Sequence, residues 1–226
     1  MRDATMVVGT ILLLASGSAA RAADRGEGSQ GDVASTPRTA ATPSRPVAIA
    51  GRLFLDVHEL GKGKVTAEAV ADAHRRDLAV QGKHGVAFKA YWVDEKGGKI
   101  YCLAEAPTRG ALNAVHKEAH GLVANRIMRV SADNMTWAPT PGAKLYLDVH
   151  HLGPGKVTAG AVAEAHKKDL AVGPKHEVKY INYWVDEQAG DIMCLAEAPS
   201  AEAAIAVHKA AHGLLADSIE EVTEGR

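Results

Sequence analysis

The sequence predicts an α+β fold of two tandem βαββαβ domains, and three observations predict it. A unit of 78 residues occurs twice: Leu53–Val130 and Leu145–Val222 align without a gap at an offset of 92, with 49 of 78 positions identical. Each unit contains short runs that alternate apolar and polar side chains, the period of a half-buried strand. Between them lie Ala-rich runs of high helix propensity.

The elements follow in order. Leu53, Leu55 and Val57 alternate with Phe54, Asp56 and His58, and Leu145, Leu147 and Val149 with Tyr146, Asp148 and His150. Thr66 is a good helix N-cap, and the run from it to about Lys83 is the first helix. Val86–Val93 and Lys99–Ala106 are strands around the turn Glu95-Lys96-Gly97-Gly98, a hairpin. Pro107 is expected to open the second helix, where its missing N–H costs nothing, and Gly121 to stop it. Arg126–Val130 is the final strand. This order is the split βαβ arrangement of the ferredoxin-like type, with both helices on one face of the sheet. The other face needs cover, and a second such sheet supplies it. The tandem pair therefore forms an intramolecular pseudo-dimer, like an α/β-barrel.

Outside the repeats, Met6–Ala20 is an apolar stretch ending in the small-x-small pattern Ala20-Arg21-Ala22, so residues 1–22 read as an export signal. It is short for a membrane span, and no Cys stands at the cleavage point for a lipid. The expectation is a periplasmic or secreted protein with no stable membrane anchor after cleavage. Residues 23–51, rich in Gly, Ser, Thr, Pro and Ala, read as a disordered spacer. The domains are residues 52–130 and 145–226, joined by a linker, 131–144, marked by Pro139 and Pro141.

With 26 basic and 27 acidic residues the chain lacks the electrostatic footprint of a nucleic-acid binder. No Ser–His–Asp elbow, phosphate-binding glycine loop or paired-cysteine motif occurs. Cys102 and Cys194 share one repeat position, open to three readings: buried thiols, a bridge between copies, or metal ligands.

The motifs FLDVH, AHRRDL, YWVDE, YCLAEAP and VHKEAHGL together resemble the small bacterial nickel-responsive domains, a family long catalogued as of unknown function. The resemblance covers nearly all of each copy and implies a ferredoxin-like fold, a dimer-like pairing and nickel binding. It assigns no ligand.

The histidines carry the functional reading, because each one of the first copy recurs in the second. His116 and His120, and their counterparts His208 and His212, lie four apart on a helix, a spacing at which two imidazoles can hold one ion. A position near the helix C-terminus explains them equally well. His74 and Asp77, with His166 and Asp169, flank the apolar stripe of the first helix; they read as a mutually satisfied pair, as a carboxylate orienting an imidazole, or as the lining of a pocket. His58 and His150 end the first strand of each copy. They either approach the helix pair, giving three imidazoles per copy, or line a cleft between the copies together with Asp56. His84, His176 and His151 read as surface residues, and Glu105 and Glu197 as weak general-base candidates.

The expected function is capture of a divalent transition-metal ion by repeated imidazoles, one site per copy, with nickel favoured by the resemblance. Two alternatives stand beside it. One is a small-molecule enzyme of the dimeric α/β-barrel type using His74–Asp77 as an acid–base pair; the other is a non-catalytic binding or interaction module.

Overall fold

The structure is a computed structural model that describes residues 52–132 and 139–226. The expected export signal and spacer, and residues 133–138 of the expected linker, lie outside the described residues. The first copy runs β1 (Arg52–Glu59), α1 (Ala67–Val80), β2 (Ala87–Asp94), β3 (Lys99–Ala106), α2 (Arg109–Ala119) and β4 (Arg126–Arg129). The second repeats it as β5 (Leu145–His151), α3 (Ala159–Val172), β6 (Lys179–Asp186), β7 (Asp191–Glu197), α4 (Ala201–Ala211) and β8 (Ser218–Gly225). The order βαββαβ is thus present twice.

Two details differ from expectation. The first helix ends at Val80, and a tight 3-10 turn carries the chain to His84. Pro107 does not open the second helix. Thr108 caps it, its hydroxyl accepting from the amide of Ala111, because a residue before the helix with an extended backbone and a free oxygen satisfies an amide that Pro107 cannot.

The strands form one eight-stranded sheet in the order β4-β1-β3-β2-β8-β5-β7-β6. The copies join where β2 pairs antiparallel with β8, Trp92 opposite Glu224. A bridge between Ser131 and Val185 joins the other two edges, at the position related by the repeat, so the sheet curls into a closed barrel. One core fills it from both copies: Leu55, Val57, Trp92, Leu103 and Met128 pack with Leu147, Val149, Trp184, Met193 and Leu195. The two indoles meet there at 4.9 Å between centroids. Period-2 alternation then decides the rest. Leu55 and Val57 enter the barrel, so Phe54, Asp56 and His58 lie on the helix side of the same strand.

Candidate metal centre

Four elements bring polar side chains into one dry layer between helices and sheet. On α1 the buried residues are Val70, His74 and Asp77, one helical face at spacings of four and three. On α2 they are Leu112, Val115 and His116, and His120 caps the helix end. From below, β1 contributes Asp56 and His58, and the antiparallel register sets Cys102 of β3 opposite Asp56.

His116 is the hub. With a proton on each ring nitrogen it donates from Nε2 to Asp56 Oδ2 at 3.0 Å and from Nδ1 to Asp77 Oδ1 at 3.1 Å. His120 Nε2 lies 3.2 Å from Asp77 Oδ1, and His58 Nε2 lies 3.3 Å from Asp56 Oδ1. The His58 and His116 rings meet edge to face at 4.9 Å. Two sets of donor atoms converge, Asp56–His58–Cys102 beneath the helices and Asp77–His116–His120 nearer the surface, each within 4.8 Å. Asp56, His58, Asp77 and His116 are all at most 4% exposed.

The second copy repeats the arrangement. His208 bonds Asp148 at 3.0 Å and Asp169 at 3.1 Å, and His150 lies 3.3 Å from Asp148. There Asp148, His150, Cys194 and His208 form a group of four donors, and Asp169, His208 and His212 a second group. One substitution separates the copies chemically. Tyr180 replaces Phe88, and its hydroxyl stands 3.1 Å from His208 Nε2. The cavity beside the cluster measures about 30 Å³ in the first copy and about 120 Å³ in the second.

Burial opposes charge on His116, but its bonds to Asp56 and Asp77 outweigh that and raise its pKa to about 9. His208 stands at about 9 for the same reasons, through Asp148 and Asp169. Burial likewise opposes the charge on Asp77, yet hydrogen bonds from His116 and His120 bring it down to about 2. Asp56 and Asp148 are also held below the usual carboxylate range, hydrogen bonds from their histidines overcoming burial. Burial lowers His74 and His166, which stay neutral. Burial, then the neighbouring carboxylates, pushes the Cys102 and Cys194 thiols well up. Without an ion, the protonated hub imidazole is therefore the cation that offsets two buried carboxylates.

The sequence-derived set sorts clearly. His58, Asp77, His116 and His120 come together, as do His150, Asp169, His208 and His212. His58 takes the helix side, not the inter-copy cleft, because Leu55 and Val57 occupy the barrel. Of the three readings of His74 with Asp77, the two that pair them do not hold: Asp77 bonds His116 and His120, while His74 stacks on Tyr91 at 4.7 Å and leaves Nδ1 without a hydrogen bond; both do line the small cavity beside the cluster. His166 does the same against Tyr183. Asp169 likewise bonds His208 and not His166. The bridge between Cys102 and Cys194 is also excluded, since both are free and each faces its own copy's helices. Asp56, Asp148 and the two cysteines belong to the clusters but were not placed in them from sequence. The signal for Asp56 was its two-residue spacing from His58; that for Cys102 was only the strand register. His84 bonds Glu118 at 2.8 Å on the surface, and His151 bonds Asp191 at 2.8 Å while half-exposed.

The donor set fits a divalent transition ion. The same two buried ring nitrogens in each copy, His58 Nδ1 and His74 Nδ1 with His150 Nδ1 and His166 Nδ1, have no hydrogen-bond partner. Imidazole, carboxylate and thiol together suit nickel, copper and zinc.

The model of the family of SCO4226-like nickel-responsive proteins matches residues 54–130 and again 146–222. Among solved structures, SCO4226 from Streptomyces coelicolor A3(2) is 39% identical over 34% of this chain and 93% of its own, with a TM-score of 0.32. A candidate monooxygenase from Lactobacillus acidophilus NCFM is 10% identical over 77% of this chain and 94% of its own, with a TM-score of 0.44. An anthrone oxidase-like protein is 12% identical over 77% and 92%, at 0.37. No curated protein matches the chain.

Proposed function

The chain belongs to the family of SCO4226-like nickel-responsive proteins, whose domain it carries twice, and we propose that it captures divalent transition-metal ions reversibly at the buried cluster of each copy, nickel first among them. The observation that carries this is the convergence of the same carboxylate, imidazole and thiol donors in both copies, with His58 Nδ1 and His150 Nδ1 buried and without a hydrogen-bond partner. Buried polar atoms are nearly always paired, and a donor set left open at identical places in two diverged copies is explained by an occupant. The residues that would hold it are His58, His116, Asp56 and Cys102 with Asp77 and His120, and their counterparts. A bound ion would supply the positive charge that the protonated His116 otherwise provides. The chain's own contribution is to bury and orient: Asp77 fixes the ring of His116, and Tyr91 and Phe88 fix the ring of His74.

Cavity size weighs against an acid–base enzyme built on His74. Pockets for organic ligands run to several hundred Å³, whereas the space beside His74 is about 30 Å³. The proposed setting is periplasmic or secreted, supported by the apolar stretch Met6–Ala20 and checked by fractionating cells that express the full chain.

Calorimetric titration of the metal-free chain with Ni²⁺, Cu²⁺ and Zn²⁺ tests the function. The expected result is saturable binding of at least one ion per copy, Ni²⁺ included, and lost from both copies in His116→Ala/His208→Ala. Heats no larger than dilution for all three ions would end the proposal.

A further inference from the structure

The internal repeat allows every contact between the copies to be compared with the contact that a copy would make with its own kind. Across the barrel, Lys99, the first residue of β3, bonds Glu220 of β8, and Tyr101 donates to the same carboxylate at 2.5 Å. Related by the repeat, Asp191, the first residue of β7, bonds Arg126 of β4 at 2.8 Å. The charges are exchanged between the two places. Nearer the surface, Lys96 bonds Glu221 at 2.8 Å, where the related positions hold Gln188 and Arg129. In these contacts the first copy contributes Lys96, Lys99 and Arg126, all cationic, and the second contributes Glu220, Glu221 and Asp191, all anionic.

We infer that this seam is a partner-selective docking surface, on which each copy accepts the other and rejects a second example of itself. Two first copies would set Lys99 beside Arg126 and Met128, with no carboxylate from across and no acceptor for the Tyr101 hydroxyl. Two second copies would set Asp191 against Glu220, with Met193 in place of the tyrosine. Glu220 and Asp191 are 10% and 6% exposed, so neither mismatch is relieved by solvent as a surface pair would be. Much of the apolar core is indifferent to the choice, since Leu55, Val57, Trp92 and Leu103 recur as Leu147, Val149, Trp184 and Leu195. Charge therefore sets specificity where hydrophobic burial cannot. The consequence is a chain that closes on itself and whose halves do not assemble with like halves of neighbouring chains.

The test uses full-length chains. Asp191→Lys sets two cations together at one seam and makes the second copy complementary to itself. Its Tm should fall by about 3 °C or more, and sedimentation should show concentration-dependent dimers absent from the wild type. Arg126→Asp/Asp191→Lys restores the opposite signs within the chain and should regain most of the lost Tm. Because this double variant keeps the Asp191→Lys charge in its buried place, it also shows whether the single variant failed merely by disrupting the fold. Additive losses in the double variant, or a single variant with unchanged Tm and unchanged association, would overturn the inference. Both readouts are taken without metal, so they stand apart from the fate of the metal-binding reading.

Discussion

On the proposed function, His116 and His208 would serve the metal-free fold and the ion in opposite protonation states. As a buried cation each offsets two carboxylates, so removing one ring strands both charges. His116→Ala should therefore cost the metal-free chain about 3–5 kcal/mol, measured by urea unfolding; a loss near that of a surface substitution would contradict the hub role. The pH dependence follows from the same shifts. His116 and His208 are raised to about 9 from 6.5, so their stabilisation is complete below pH 6.5 and is lost as pH rises through 9. His74 and His166 are lowered, so they cost stability as pH falls below 6.5, where the unfolded chain binds their protons. Stability of the metal-free protein should peak near pH 6.5 and fall on both sides, read as Tm against pH. The copies also differ at one atom. Tyr180 at 3.1 Å from His208 Nε2 has no equivalent at Phe88, so the two centres should bind with unequal affinity. Tyr180→Phe should draw the two binding constants together; a wild-type isotherm described by identical sites would contradict this.

Among the elements, the hairpin turn does more than reverse the chain. Gly98 sits at a φ of +74°, and its carbonyl accepts from the amides of Leu60 and Gly61 at 2.9 and 3.2 Å, tying down the loop that follows His58. A Cβ at Gly98 would fall 1.8 Å from the Gly61 carbonyl oxygen, and one at Gly190 would fall 1.9 Å from that of Gly153. Backbone meets backbone there, so no side-chain adjustment relieves the clash. Gly98→Ala should cost about 2 kcal/mol or more and weaken ion binding in the first copy while sparing the second, a difference that titration of the variant resolves.

For the whole molecule, the barrel core belongs to neither copy alone. Trp92 and Trp184 touch across it, and the helix-side clusters of each copy are smaller and lie outside it. Opening one copy would expose the inner face of the other. Calorimetry should give a single transition whose measured enthalpy equals the van't Hoff value. Two resolved transitions, or an enthalpy ratio near two, would show that the copies unfold independently.

The element order, the alternation along the strands and the pseudo-dimer were legible in the sequence because they depend on local periodicity and on a repeat that compares itself. Recurrence of the histidines likewise singled out residues before any coordinates, and several of them share a cluster in the structure. Which of them meet was not legible. His74 and Asp77 are near neighbours in sequence, yet Asp77 turns to His116, thirty-nine positions away; Cys102 reaches Asp56 only through the register of β1 on β3. Spacing along a helix or strand says which face a side chain occupies, while its partner is chosen by whatever another element brings to that face. That choice, and the exchanged charges that pair the two copies, were made by tertiary packing alone.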